Sequence, residues 1–359
     1  MAEHIIGEVL MNWYGQNKRD LPWRHTTDPY VIWISEIILQ QTRVVQGMDY
    51  FNRFMGRFPD VRTLAEARED EVMKYWQGLG YYSRARNLHA AAKEVVSRFG
   101  GVFPKDYEDV LSLPGIGEYT AAAVCSFAYR QPYAVLDGNV FRVLARLFAI
   151  DLPIDGGKGK KYFAGLAQEL LDRKHPDVYN QAIMDFGAVQ CVPKSPDCAI
   201  CPLNDRCRAL AEHIVDKLPF KEGRVSVRSR YFNYLHIRCG EDLLMRQRTA
   251  KDIWQKLYEF PLIETDIPVE YEELKKIPEF QALFDGIKEI RLRHITEAPR
   301  HVLSHQIIYA RFYDIEIDGF SEKMKQYLVV KECETDHFAV SRLIESYLTG
   351  MTPDRLLFS

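Results

Sequence analysis

Four cysteines crowd into seventeen residues. Cys191, Cys198, Cys201 and Cys207 have six, two and five residues between them, and Pro193, Pro196 and Pro202 bend the intervening chain. Four thiolates can face one centre only if the chain wraps around it. Zinc sites usually pair cysteines two to four residues apart in two knuckles, whereas a single wrap with wide outer gaps suits a four-iron cubane, one cysteine per iron. A 4Fe-4S cluster is therefore expected ahead of zinc, with four unliganded thiols third. Cys125, Cys239 and Cys333 stand alone in apolar or strand-like surroundings and read as small buried thiols.

The rest of the chain sets the setting for that wrap. At 359 residues it exceeds one ordinary core, and about 100 to 200 residues per domain implies two domains. With 47% hydrophobic and 27% charged residues it reads as a globular protein; no apolar run approaches the roughly 18 residues of a membrane span, and Met1-Ala2-Glu3-His4 lacks a signal-peptide pattern. A cytosolic address follows as an expectation, nucleoid-associated in a bacterium. There, clustered cysteines more often hold metal than form disulfides. Net charge is -3, so any nucleic-acid surface must be a local basic patch.

From His4 to about Leu210, apolar residues recur three and four apart between Gly and Pro punctuation, the pattern of an all-α region. Helices are expected over 5–16, 29–54, 69–77, 82–99, 107–111, 119–128, 138–148, 160–171 and 179–188. After His213 a stretch with Lys217, Lys221, Arg224, Arg228 and Arg230 around Pro219 and Gly223 reads as a basic linker, giving expected bounds of 1–212, 213–229 and 230–359. Beyond it, alternation predicts strands over 231–239, 242–247 and 306–317, and a last helix over 338–348 closes a smaller α+β domain.

Three motifs in the helical region carry chemistry. Leu113-Pro114-Gly115-Ile116-Gly117 lies between two helical segments, where Gly115 and Gly117 let backbone N–H groups approach a phosphate; an ordinary interhelix turn is the alternative. Such a hairpin grips a strand without reading sequence. In Trp33-Ile34-Ser35-Glu36-Ile37-Ile38-Leu39-Gln40-Gln41-Thr42 a carboxyl sits in a strongly apolar helix. Desolvation there would raise the pKa of Glu36 and keep it a proton donor, although Glu36, Gln40 and Arg43 also fit one solvated stripe. Asp137, before the helix at Gly138, is placed as an N-cap.

Taken together, the cysteine spacing and the Leu-Pro-Gly-Ile-Gly hairpin resemble those of the iron-sulfur helix-hairpin-helix glycosylases, the endonuclease III superfamily, and over nearly its whole length the chain resembles the MutY-like adenine DNA glycosylases. The resemblance implies a structural cluster, whose loop brings Lys194, Arg206 and Arg208 to phosphate. It matches Glu36 to the family's catalytic acid and Asp137 to the carboxylate that faces C1′ as positive charge develops; at 4 Å and an effective dielectric near 20, such a pair is worth about 4 kcal/mol. Tyr119 and Asn139 would orient these groups. Where family members that also cut the backbone carry a lysine two residues after the second glycine, this chain has Tyr119. A phenol forms no imine, so a monofunctional enzyme is expected.

By the same resemblance, Gln41 and Tyr81, in Gly78-Leu79-Gly80-Tyr81-Tyr82, fill the stack vacated by a flipped adenine, Leu79 joins that DNA surface, and Trp23, Arg24 and Gln181 line the adenine pocket; core packing is the alternative for the aromatics. The C-terminal domain would be Nudix-like, with its characteristic segment at Trp254–Pro261 and 8-oxoguanine read by Ser304 and His305. Family members often carry Phe where this chain has Leu303. No Arg-Glu-x-x-Glu-Glu box follows, so neither nucleotide hydrolysis nor magnesium is implied. The expected partner is duplex DNA with an A:8-oxoguanine or A:G mispair, engaged by a monomer. The rival readings are a bifunctional endonuclease III-like glycosylase/lyase and a noncatalytic helix-hairpin-helix DNA-binding module.

Overall fold

In the first part of the chain, the three- and four-residue apolar spacing becomes helices α1 (Ala2–Asn17), α2 (Pro29–Leu39), α3 (Val44–Arg57), α4 (Val61–Glu66), α5 (Glu69–Trp76), α6 (Ser83–Phe99), α7 (Tyr107–Leu111), α8 (Glu118–Tyr129), α9 (Gly138–Phe148), α10 (Gly157–Leu170), α11 (Pro176–Asp185) and α12 (Arg208–Ala211). The computed structural model describes residues 2–223 and 227–350, so Arg224 of the basic connector lies outside the described residues. Two compact units are present: Met1–Glu66 with Asn87–Arg224, and Ala67–Arg86 with Val225–Ser359.

The heart of the first unit is α2 packed on α8. Every residue from Ile32 to Ile38 is buried, and so is every residue from Thr120 to Phe127, where Ala121, Ala122 and Ala123 allow close approach. A helix buried all round belongs in a core, and this one carries Glu36 inside with it. Asp28 caps α2 by accepting from the Tyr30 amide, with Pro29 at the first helical position.

The single helix expected over 29–54 is two. Gln41 adopts φ 57 in the connecting turn, and α3 then crosses close enough that a Cβ on Gly47 would lie 2.7 Å from Leu39 Cδ2. Neither Gly nor Pro marks this break in the sequence; the fold imposes it. At its far end α11 continues as one π-helical turn, Phe186–Gln190, which leads directly into Cys191.

The second unit is built on β1 (Arg228–Cys239), β2 (Asp242–Gln247), β3 (Tyr258–Glu259), β4 (Leu262–Thr265), β5 (Ile290–Glu297), β6 (His301–Val302), β7 (Gln306–Ile317) and β8 (Leu328–Lys331). The order is β3-β2-β1-β7-β5, with β4 on β1, β6 on β7 and β8 on β2; β1 and β7 run parallel and the other pairs antiparallel. Helices α13 (Tyr271–Leu274) and α14 (Pro278–Leu283) contribute Leu274, Phe280 and Leu283 to a core with Leu235, Ile237, Tyr313 and Ile315. Tyr347 of α15 (Arg342–Leu348) stacks on Phe312 at 4.1 Å. The last helix starts four residues later than the expected 338, because Glu332–His337 forms a 3-10 turn and Ser341 caps α15.

Residues 67–86, read within the helical region, are stitched into this second unit. Gln77 donates to Glu345 Oε1 at 2.7 Å, Gln247 to Asp70 Oδ1 at 3.0 Å, and Arg86 to the Gln255 carbonyl at 2.8 Å. The basic connector is shorter than expected, since Arg228 and Arg230 belong to β1. Arg230 is buried between Asp252 and Glu264, at 2.7 Å from each, and so is no part of a free basic patch. Of the lone cysteines, Cys125 is buried as expected; Cys333 is exposed, because the 3-10 turn carrying it lies on the surface.

Candidate active site

A cavity of about 190 Å³ in the first unit gathers residues from distant stretches of sequence: Trp23 and Arg24, Glu36 of α2, Tyr119 of α8, Asp137 and Asn139 at the start of α9, and Gln181 and Met184 of α11. Seven of the residues expected to make up the catalytic group and the adenine pocket thus line one space. Glu36 is 8% exposed, which rules out the solvated stripe. Its Oε2 accepts from the Tyr119 hydroxyl at 2.7 Å. Burial pushes Glu36 up to about 7; the Tyr119 bond opposes this, nearby Asp137 adds to it, and Arg24 opposes it. Burial, reinforced by the negative charge of Glu36, pushes the Tyr119 phenol well above its ordinary range, so it remains a hydrogen-bond donor.

Asp137 both caps and faces the cavity. Oδ1 accepts from the amides of Asn139 at 2.9 Å and Val140 at 2.8 Å, while Oδ2 accepts from Asn139 Nδ2 at 2.8 Å. Burial raises its pKa and these bonds oppose the rise. Arg142, one turn along, donates to Asn139 Oδ1 at 2.8 Å, to the Gly187 carbonyl at 2.6 Å and to the Cys191 carbonyl at 2.8 Å. The carboxylate is thereby fixed through two further side chains.

The opposite wall rests on residues that sequence reading missed. Asp185 is fully buried and receives Arg24 at 2.6 and 2.7 Å and Arg19 Nε at 2.8 Å. Although burial favours its neutral form, the two guanidiniums hold Asp185 below the usual carboxylate range. Tyr14 donates to Gln181 Oε1 at 2.5 Å. The signal that was available is helical spacing, since Asp185 follows Gln181 by four residues and shares its face. Trp23 packs edge-on against Phe51 at 5.0 Å and also lines the cavity.

The residues expected at DNA lie at turns. Gly115 has φ +76, and a Cβ there would meet Asn87 Cβ at 2.5 Å, so only glycine fits; Gly117 is extended, caps α8 and has open space beside it. Gln41 is exposed. In the second unit, Tyr81 is 49% exposed at φ 46, and its hydroxyl lies 2.7 Å from Ser304 Oγ. Ser304 and His305 are exposed between β6 and β7. Leu79 differs from expectation: it is 8% exposed, the turn pointing it inward and Tyr81 outward.

All four clustered cysteines, together with Arg146, Val143 and Leu203, line a second cavity in the first unit. Among the described residues no three His, Cys, Asp or Glu side chains converge closely enough for a single metal ion, whereas thiols spaced around a cavity match one cysteine per iron. Buried Arg146 reaches Cys191 Sγ at 3.5 Å and donates to the carbonyls of Val192 and Pro193. Burial pushes the free Cys201 thiol up to about 11, so a thiolate there needs the positive charge of iron. The donor set and its surroundings fit the cluster.

The comparisons with known proteins agree. Residues 34–166 match the HhH-GPD superfamily base excision DNA repair protein family, residues 191–207 the iron-sulfur binding domain of endonuclease III, and residues 233–350 a NUDIX domain. An adenine DNA glycosylase of Buchnera aphidicola subsp. Acyrthosiphon pisum is 34% identical, covering 73% of this chain and 75% of that protein; the mouse adenine DNA glycosylase is 32% identical, covering 86% and 70%. Among solved structures, a thermostable thymine-DNA glycosylase superposes with TM-score 0.53 at 29% identity over 58% of this chain and 97% of its own. A non-covalent endonuclease III–DNA complex, at 20% identity, shares the fold with TM-score 0.51, covering 60% and 99%. Fold and cluster thus define an iron-sulfur helix-hairpin-helix glycosylase of base excision repair. Within that class, the chain belongs to the adenine DNA glycosylase family.

Proposed function

We propose that this enzyme hydrolyses the N-glycosidic bond of adenine mispaired with 8-oxoguanine or guanine in duplex DNA, leaving an abasic site. The observation that carries the reading is a buried Glu36, its pKa pushed up to about 7, sharing one cavity with Asp137. Glu36 donates its proton to adenine N7, which makes the base a leaving group. As the bond breaks, Asp137 stabilises the positive charge on the sugar, and water completes hydrolysis. Tyr119 orients Glu36, and Asn139 orients Asp137. No lysine stands at position 119, so the enzyme is monofunctional.

Cys191, Cys198, Cys201 and Cys207 hold the 4Fe-4S cluster, which when bound supplies a structural cross-link for the loop they span. The hairpin at Gly115 and Gly117 grips phosphate, Gln41 and Tyr81 fill the vacated stack, and Ser304 and His305 contact the oxidised purine. One monomer engages one lesion. The test is a glycosylase assay on duplexes holding adenine opposite 8-oxoguanine or guanine, run with and without borohydride. Base release without covalent trapping is expected; no release removes the reading, and efficient trapping favours the bifunctional glycosylase/lyase. Equal affinity for 8-oxoguanine and guanine opposite an uncleavable adenine analogue would remove the role given to Ser304 and His305.

A further inference from the structure

Gln181 carries the one side-chain amide among the cavity residues on the α11 wall, and an amide is ambiguous until something tells it which way to face. Its oxygen accepts and its nitrogen donates, and a half-turn exchanges them at little steric cost. Adenine offers an N6–H donor beside an acceptor nitrogen, which an amide meets with both groups at once. Hypoxanthine, with the same ring frame, reverses that order along its N1 edge: O6 accepts and N1–H donates. A freely turning amide satisfies either base; a fixed one satisfies only adenine.

The structure contains a lock. Tyr14 of α1 lies outside the cavity lining, is 8% exposed, and donates its hydroxyl to Gln181 Oε1 at 2.5 Å. The Gln181 amide nitrogen has no hydrogen-bond partner among the described residues. The ring is also engaged on its face, where the Arg24 guanidinium sits 5.8 Å from the centroid and is itself held by buried Asp185. Burial, opposed by the charge of Arg24, keeps the Tyr14 phenol above its ordinary pKa. It therefore stays protonated at neutral pH. Turning the amide over would let the hydroxyl oxygen accept from its N–H₂ but would leave the hydroxyl's own proton without an acceptor among the described residues, and that orphaned donor is what disfavours the flip.

We propose that Tyr14 is a specificity-determining positioning residue, fixing the Gln181 amide in the orientation that accepts adenine's N6–H and rejects a purine bearing O6 and N1–H. The inference rests on the adenine pocket proposed above. It deepens that reading by placing the discrimination in a hydrogen bond behind the pocket wall.

The experiment measures kcat/KM for adenine and for hypoxanthine at the same position opposite 8-oxoguanine, in the iron-loaded unaltered enzyme and in Tyr14→Phe, which deletes a single oxygen. The adenine-to-hypoxanthine ratio is expected to fall at least tenfold in Tyr14→Phe, while iron-sulfur absorbance and melting temperature stay near those of the unaltered enzyme. In a Gln181→Met background the ratio is already lowered, and adding Tyr14→Phe should change it less than twofold. A ratio preserved in Tyr14→Phe, or equal losses on both bases, overturns the lock. Should Tyr14→Phe fail to fold, an unchanged ratio in Gln181→Met overturns it equally. Failure of the unaltered enzyme to release adenine would instead fell the functional reading itself, so the two failures are distinguishable.

Discussion

The two cavities of the first unit were assembled in opposite ways. The cysteine site draws its four sulfurs from seventeen consecutive positions, with prolines to bend them, whereas the other cavity takes its lining from residues as far apart as Arg19 and Ala188. A site built locally advertises itself in spacing, because neighbouring ligands must be reached by a short chain. A site built by tertiary packing leaves only ambiguous marks, such as a carboxyl among apolar residues or an aspartate before a helix. The contrast extends to energetics: the cysteines need an added positive centre to be held as thiolates, while Glu36 gains its character simply by being buried.

The sharpest way to break the comparison is to remove the property that burial confers. Glu36→Gln keeps the shape and the Tyr119 contact but has no proton to give, and general acid catalysis contributes about 10²–10⁴-fold. Single-turnover base release should fall by that order or more while affinity for the duplex persists. Turnover within tenfold of the unaltered enzyme would return Glu36 to a packing role. Asp137→Asn separates two functions held by one side chain. Asn is an equally good N-cap, so α9 should keep its stability, whereas the lost negative charge should slow base release by roughly 10²–10³-fold, the scale of one electrostatic group. A drop in melting temperature with little change in rate would assign Asp137 to the cap alone.

A smaller, graded effect comes from pH. With Glu36 at about 7, the single-turnover rate should fall about tenfold per pH unit above that value, and Glu36→Gln should lack this limb. Stability carries the same signature. The folded-state pKa lies above the ordinary 4.5, so the folded state holds the proton more tightly. This contribution is fully present below about 4.5 and is lost as pH rises through about 7. The melting temperature of the unaltered enzyme should therefore decline relative to Glu36→Gln across that window, and parallel curves would show that Glu36 is solvated.

How much of this was legible follows from the same contrast. Helices such as α7 and α9 appear at the expected residues because their apolar spacing and caps are local. The break at Gln41 carries no Gly or Pro, and it arises because α3 must cross α2 at Gly47. Glu36 and Asp137 stood out by their chemistry, yet on the residues alone the solvated stripe was as good a reading for Glu36 and the N-cap the better one for Asp137; the family resemblance marked both, and burial and a common cavity now join them. Tyr14 was invisible because what matters about it is the residue it touches, Gln181, and Asp185 left only its four-residue spacing from Gln181 as a sign, its partner Arg24 being far away in sequence. Leu79 and Tyr81 are two residues apart, and only the turn decides that the tyrosine faces out.

A hydrogen-bonded chain links the two cavities, and that link supports the finest test. Arg142 donates to the carbonyl of Cys191 and to the side chain of Asn139, which in turn holds Asp137. One guanidinium thus joins the first cysteine of the wrap to Asn139, the side chain that holds the carboxylate of the other cavity. Arg142→Met keeps length and apolar packing but removes the donors, leaving the Gly187 and Cys191 carbonyls and Asn139 Oδ1 short of a partner. Each buried, unsatisfied acceptor costs about 1–3 kcal/mol, which local adjustment reduces in part. Because Asp137 keeps both backbone bonds, the expected loss is about tenfold in single-turnover rate, well below that of Asp137→Asn. Iron content should remain near four per chain, since all four cysteines are intact. A variant that loses iron in proportion to activity would show Arg142 serving the cysteine wrap alone; full iron with slowed base release would show the locally built site steadying the one assembled by packing.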